Sequence, residues 1–204
     1  MERKIAEGIS IVFHPLLIPL YGTLILLYYD GYLSFLLTEK ARLIILSVVF
    51  LMTFVFPLIL TVILKSMHMI SSLRLQRRQE RTLPFLGAGF SFYLAFIIIR
   101  AFEVPGYYNL FLLGATLLIV IAIVVNKFWK ISIHMLSLGG LSGLFIALAP
   151  YSFGVDHMFI YLVVLMAGAT GYARLKLNTH QPAQVYVGYL TGLMFMFSLF
   201  QIVA

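Results

Sequence analysis

The chain has 204 residues, of which 62% are hydrophobic and only 10% are charged, and its formal net charge is +7. This composition excludes an ordinary soluble domain and is typical of proteins whose helices cross a lipid bilayer. Because the sequence contains no cysteine, it also excludes a disulfide framework, a thiolate metal site and a cysteine nucleophile.

Hydropathy predicts seven apolar segments, each near the length that a helix needs to cross the hydrocarbon core. In chain order they are Ile9–Tyr29, Ala41–Leu64, Phe85–Phe102, Tyr107–Val125, Ile131–Ala149, His157–Tyr172 and Val185–Val203. Gly, Pro and Asp residues in the connections favour helix ends at the membrane surfaces. We therefore expect an all-α fold, a polytopic transmembrane helical bundle with six to seven spans, formed by one membrane domain over residues 1–204.

The most polar connections, 65–84, 126–130 and 174–184, lie on the side of the N-terminus if the chain crosses at every predicted span. Eleven basic residues then lie on that side and three on the other, which by the positive-inside rule makes the crowded side cytoplasmic. If eight of those eleven bind an anion instead, three remain on each side, and the orientation stays open. We expect an integral membrane protein of a bacterial inner membrane.

Glycines in the later helices recur at a spacing of four residues. Gly139 and Gly143 form one such pair, and Gly188 and Gly192 form another. This spacing places both members of a pair on one helix face and lets two helices approach closely. We expect other helices of the bundle to pack closely against these faces.

Side chains that can bind or transfer phosphate occur near predicted helix ends on the polar side. They lie in the segments RLQRRQERTLP, ISIH and ARLKLNTHQPAQ, and they are Arg74, Arg81, Ser132, His134, Arg174, His180 and Gln184. Guanidinium groups suit the oxygens of a phosphate because their donors form a planar bidentate fork. Imidazole titrates near neutral pH, so one histidine can attack phosphorus while another protonates the leaving oxygen.

The order and spacing of these residues resemble the three motifs of the type 2 phosphatidic acid phosphatase and haloperoxidase superfamily. Six residues separate Arg74 from Arg81, and five separate Arg174 from His180, with Gln184 four positions further on. The resemblance implies a lipid phosphatase-like core at about 74–204. The helices at 9–29 and 41–64 would then be N-terminal additions.

By this resemblance, the protein hydrolyses a phosphate or diphosphate from a lipid through a phosphohistidine intermediate. His180 would be the nucleophile, His134 the general acid and Gln184 the residue that orients His180. The phosphate would be bound by four further residues, Arg74, Arg81, Arg174 and Ser132. The implied substrate is an anionic phospholipid or an isoprenoid phosphate, and neither a metal nor another cofactor is expected.

Three of the departures from the family pattern bear on catalysis. Gln184 stands where the family has an acidic residue, Ala173 replaces a serine and Ile133 replaces a glycine. An amide can accept an imidazole N–H but cannot neutralise imidazolium, so we expect slow, altered or absent catalysis. The alternative function is a catalytically impaired relative that binds or moves anionic lipids.

Structural roles remain open for several of these side chains. The arginines of the 65–84 segment are also suited to anionic headgroups, His134 to a backbone hydrogen bond, and His14 to a local partner beside Pro15. A small transporter of unrelated fold is a third possibility for the whole chain. Nucleic acid is not an expected partner, and the oligomeric state is left open.

Overall fold

The computed structural model describes residues 1–73, 75, 77–102, 104–150 and 157–203. Arg74, which the sequence assigns to phosphate binding, lies outside the described residues. Within them the fold is all-helical. The helices are α1 Glu2–Val12, α2 Ile18–Tyr29, α3 Gly31–Leu36, α4 Glu39–Phe50, α5 Phe56–Ser66, α6 Thr82–Arg100, α7 Gly106–Phe128, α8 Ile133–Leu148, α9 His157–Lys176 and α10 Pro182–Val203.

Five helices of the described chain are long and apolar enough to cross a membrane. They are the continuous segments Glu39–Ser66, Arg78–Arg100, Gly106–Phe128, His157–Lys176 and Pro182–Val203. The apolar helices α2 and α8 are shorter, with 12 and 16 residues. Sixteen residues rise about 24 Å, which is less than the roughly 30 Å hydrocarbon core of a bilayer. The five long helices indicate an integral membrane protein.

The prediction of one continuous helix over Ile9–Tyr29 is wrong, because the chain bends between α1 and α2. Proline disfavours helical geometry in the residue before it, and Pro15 therefore prevents helix at His14. Pro19 lies in the first turn of α2, where its missing N–H costs nothing. The N-terminal segment thus forms a separate helix, α1, which is joined to α9 by an ion pair of 2.5 Å between Glu2 and Lys176.

The predicted second span is continuous, but a π-helical turn over Leu51–Val55 interrupts its α-helical geometry. Pro57 follows closely and has no N–H to donate to the preceding turn. Two neighbouring segments bind here: the Thr53 hydroxyl donates to the Leu16 carbonyl at 3.2 Å, and the Ser91 hydroxyl donates to the Met52 carbonyl. The π turn therefore fastens this helix to the α1–α2 bend and to α6.

Helix α8 lies in the centre of the bundle, since 12 of its 16 residues are buried. It packs closely against α10, and the glycine pairs of both helices lie in this contact. A Cβ atom on Gly139 or Gly143 would overlap main-chain atoms of α10, and one on Gly192 would overlap the Leu136 carbonyl of α8. The predicted close approach of helices at the two glycine pairs is therefore confirmed, and the structure adds that α8 and α10 are the helices that meet there.

The three polar connections meet at one end of the bundle, which we call the polar end: segments 78–84, 126–134 and 174–184. Side chains of one segment bond to the main chain of another. The bonds are Arg81 Nη1 to Ile131 O at 3.2 Å, Asn126 Nδ2 to Arg78 O at 2.9 Å and Lys130 Nζ to Thr179 O at 2.9 Å. A main-chain bond of 3.2 Å from Ser132 N to Gln184 O adds a fourth link. The bundle therefore holds these segments in fixed relative positions.

Candidate functional site

A cavity of about 540 Å³ extends inward from the polar end, and we call it the central cavity. Its charged and imidazole-bearing lining residues come from α1, the α1–α2 bend, α8 and the three polar segments. They are Arg3, Glu7, His14, Arg81, Lys130, His134, Arg174 and His180. Basic residues outnumber the acidic one, so this part of the cavity favours an anion.

The deeper lining of the central cavity is apolar. It is formed by side chains of α6, α7, α8 and α10, among them Phe92, Phe111, Leu118, Leu141 and Met196. Such a surface can accept hydrocarbon but offers no partner to a polar group. The cavity as a whole is therefore suited to an amphiphile with an anionic head and an apolar chain.

His180 lies between α9 and α10 and is oriented by the first turn of α10. Its Nδ1 atom is 3.1 Å from Gln184 Oε1, which also accepts the main-chain N–H of Gln181 at 3.2 Å. Because a carbonyl oxygen only accepts hydrogen bonds, His180 donates from Nδ1. The lone pair of the neutral ring is then on Nε2. The contact that the sequence predicts between these two residues is present.

Burial, followed by the positive charges of Arg174 and Arg81, lowers the pKa of His180 from 6.5 to about 3. The hydrogen bond to Gln184 opposes this shift but does not outweigh it. The ring is therefore neutral at pH 7. A neutral ring with a free lone pair on Nε2 has the protonation state that a nucleophile requires.

Arg81 and Arg174 reach the central cavity from different segments. Arg81 is buried, and its Nε atom donates to the Leu75 carbonyl at 2.9 Å in addition to the bond with Ile131. Arg174 lies in the last turn of α9. The two guanidinium groups therefore line one cavity although 93 positions separate them in the sequence.

Lys130 is a cavity residue that the sequence reasoning did not assign to the site. Burial, followed by the charges of Arg81 and Arg174, lowers its pKa. The sequence feature that could have assigned Lys130 to the site is its position at the end of the short 126–130 connection, next to Ile131. Lys130 adds a third cation to those of Arg81 and Arg174.

His134 lies in the first turn of α8 and lines the same cavity as His180. Its Nε2 atom is 3.1 Å from the main-chain carbonyl of Ser10 in α1. The carbonyl can only accept, so His134 donates this proton to α1. The backbone hydrogen bond that the sequence left open as a structural role is thus present, and it occupies the one N–H of the neutral ring.

His14, at the α1–α2 bend, was also missed as a site residue. Its Nδ1 atom accepts the Leu16 N–H at 3.4 Å, which is the local partner that the sequence favours. Its ring also stands edge-on to His134, with 5.6 Å between the ring centroids and 78° between the planes. The HP dipeptide alone gave no indication of this contact across the bundle.

Two of the proposed site residues are not part of the cavity lining. Gln184 is buried behind His180, where it orients that ring. Ser132 is fully buried, its N–H donates to Gln184 O, and its hydroxyl has no hydrogen-bond partner among the described residues. Among all the residues that the structure describes, no group of three His, Asp or Glu side chains lies close enough together to hold a metal ion.

Comparison of the chain with protein-family models, with curated proteins and with solved structures finds no match. Function is therefore inferred from the chemistry of the central cavity.

Proposed function

We propose that this protein hydrolyses a phosphate or diphosphate from a membrane lipid, with His180 as the nucleophile. The observation that carries the proposal is that His180, oriented by Gln184, lines one cavity with Arg81 and Arg174. The resemblance to the type 2 phosphatidic acid phosphatase and haloperoxidase superfamily supports the same residues in the same roles.

The basic residues of the cavity would bind the substrate phosphate. A phosphate monoester carries nearly two negative charges, and an arginine fork pairs with its oxygens bidentately. Arg81 and Arg174 are the proposed ligands, together with Lys130, and the sequence adds Arg74. The apolar depth of the cavity would hold part of the lipid chain and keep the headgroup at the polar end.

The reaction would occur in two steps. His180 Nε2 attacks phosphorus and forms an N–P bond while the bond from phosphorus to the lipid oxygen breaks, and the leaving oxygen takes a proton. Water then attacks the phosphohistidine, which releases inorganic phosphate and restores the neutral ring. His134 is the proposed proton donor. It must first take up a proton at Nδ1, because a neutral imidazole that lost its Nε2–H would be left as an anion; the imidazolium then gives one proton to the leaving oxygen and returns to the neutral ring.

Binding of anionic lipids without turnover is the second candidate function. Two observations favour it: an amide, and not a carboxylate, accepts from His180, and the His134 N–H is donated to Ser10. Without an anion beside it, a phosphorylated or protonated His180 receives less stabilisation. The same cationic cavity would then bind a lipid phosphate and release it unchanged.

The proposed location is the inner membrane of a bacterium, and the proposed number of spans is six to seven. Helix α8 follows one polar segment and runs inward through the centre of the bundle, so it crosses most of the bilayer. Counting α8 gives six spans, and counting α2 as well gives seven.

Phosphate release by the purified protein tests the proposed function. The substrates are phosphatidic acid, phosphatidylglycerol phosphate, a polyprenyl diphosphate and a lipid A phosphate, each in mixed micelles with a chelator of divalent cations. We expect wild type to release phosphate from at least one of them and His180→Asn to release none. His157→Asn is the matched control, because His157 is exposed at the start of α9.

Lipid binding separates the two candidate functions. If wild type and His180→Asn both bind the lipid phosphates and neither releases phosphate, the catalytic proposal fails and the binding function stands. If neither protein binds nor hydrolyses any of them, both functions are wrong.

A further inference from the structure

His14 belongs to a segment that precedes the part of the chain resembling the phosphatase family, and the proposed reaction gives it no role. It nevertheless lines the central cavity together with His134, Arg174 and His180. Its ring contacts that of His134 edge-on at 5.6 Å. The α1–α2 bend, which Pro15 enforces, is what places His14 there.

The hydrogen bonds of the three cavity histidines leave a lone pair open on His134 and His180 but an N–H open on His14. His134 uses Nε2 to donate to Ser10, and His180 uses Nδ1 to donate to Gln184. His14 instead accepts the Leu16 N–H at Nδ1, so the proton of its neutral ring is on Nε2. No described residue accepts a hydrogen bond from His14 Nε2. This atom is therefore the imidazole N–H available to a ligand.

Burial lowers the pKa of His14 from 6.5 to about 4, and the positive charge of Arg174 contributes in the same direction. His14 is therefore neutral at pH 7 when the cavity holds no anion. A bound dianion opposes both effects on the pKa, because its negative charge offsets that of Arg174 and stabilises imidazolium against the cost of burial. The charged and titratable groups that line the cavity around His14 are Arg3 and Glu7 of α1, Arg81, Lys130, His134, Arg174 and His180.

We propose that His14 is an anion-binding residue of the central cavity, which donates Nε2–H to a phosphate oxygen and takes up a proton as the phosphate binds. The inference rests on the phosphate-binding part of the proposed function but not on turnover. It predicts that binding strengthens as the pH falls, because a site that gains a proton on binding is coupled to proton concentration.

Binding of a phosphonate analogue of a short-chain phosphatidic acid tests this inference, because the analogue keeps the anionic head and cannot be hydrolysed. Its affinity for wild type and for His14→Gln is measured in micelles between pH 8 and pH 5.5. The amide of glutamine can still donate near the position of Nε2 but does not titrate. His157→Gln is the control, and melting curves show whether each variant folds.

The ratio of the wild-type affinity to the His14→Gln affinity cancels the ionisation of the ligand, so its dependence on pH reports His14. We expect the two affinities to agree within about threefold at pH 8, and the ratio to rise by up to about tenfold per pH unit below the pKa of His14 in the complex. His157→Gln should follow wild type throughout.

A ratio that stays constant with pH overturns the inference, even if His14→Gln binds more weakly at every pH, since a packing role alone produces that result. That outcome leaves the proposed function intact as long as wild type binds the phosphonate. If wild type does not bind it at any pH, the phosphate site itself is wrong and the role of His14 fails with it. If a folded His14→Asn variant shows the same dependence of affinity on pH as His14→Gln, this supports the assignment of the wild-type pH dependence to titration of His14.

Discussion

His180 and Gln184 form a hydrogen-bonded pair across the start of α10, with 3.1 Å between Nδ1 and Oε1. Glutamate has the same length as glutamine, so Gln184→Glu places a carboxylate at the position of the amide. The negative charge raises the pKa of His180 and stabilises the positive charge that develops on the ring during attack. We expect turnover of a lipid phosphate to rise by roughly tenfold or more, as measured by phosphate release.

Gln181→Glu is the matched control for this change. Gln181 is exposed and contacts Gln184 only through its main chain, so a carboxylate there adds the same charge without bonding to His180. Gln184→Asp should give a smaller gain, because its carboxylate is one methylene further away. Equal turnover in wild type, Gln184→Glu and Gln181→Glu would contradict a role for this pair in catalysis.

The low pKa values of His14 and His180 also predict how stability depends on pH. Both values, about 4 and about 3, lie below the 6.5 of an exposed histidine. Between pH 6.5 and 4 the unfolded chain therefore binds more protons than the folded one, and stability falls as the pH falls. We expect the melting temperature in detergent, without phosphate, to drop between pH 7 and pH 5.

The contribution of the histidines is identified by the slope of melting temperature against pH, and not by the melting temperature at any one pH. A folded His14→Gln variant should lose part of the pH dependence over this window, and the His14→Gln, His180→Gln double variant should lose more. His157→Gln should keep the wild-type slope. If the double variant keeps it as well, other groups cause the acid sensitivity.

Close packing between α8 and α10 makes Gly192 sensitive to substitution. A Cβ there would lie 2.7 Å from Gly140 N and would overlap the Leu136 carbonyl, so one helix must move away. We expect Gly192→Ala to reduce the free energy of unfolding by about 1–3 kcal/mol. Gly168→Ala is the control, because nothing lies within 4 Å of a Cβ at this position in α9. A similar loss of unfolding free energy in both variants would show that alanine destabilises each helix by itself, and that the contact between α8 and α10 is not the cause.

Hydropathy predicted the long helices well, because each membrane-spanning segment must by itself be long and apolar enough to cross the hydrocarbon core. The predicted span Tyr107–Val125, for example, lies within α7. The first span was predicted wrongly, because its apolar residues outweighed the effect of Pro15 and Pro19 on the backbone. Hydropathy measures burial in lipid and is insensitive to such bends.

The site was predictable only where neighbouring residues form it. The contact between His180 and Gln184 follows from a spacing of four residues at a helix start. The bond between Ser10 and His134, and the edge-on contact of His14, join residues more than a hundred positions apart. Such pairs depend on how α1 packs against the bundle, and no local pattern encodes that. The placement of Lys130 beside Arg81 has the same tertiary origin.

The hydrogen bonds that link the three polar segments also predict the topology. Because these segments bond to one another at one end of the bundle, exposed positions in all three must face the same side of the membrane. The native chain has no cysteine, so single cysteines at Arg77, Phe128 and Asn178 can each be labelled separately. We expect all three to react with an impermeant thiol reagent from the same side of sealed vesicles.

Cysteines at Ala101 and His157 provide the opposite-side control. Ala101 follows the far end of α6, and His157 begins α9, whose other end carries Arg174. Both should react only from the side that the polar segments do not face. Labelling of Arg77→Cys and Asn178→Cys from different sides would separate Arg81 from Arg174 by the width of the bilayer. No single phosphate could then contact both arginines, and the central cavity could not be the proposed site.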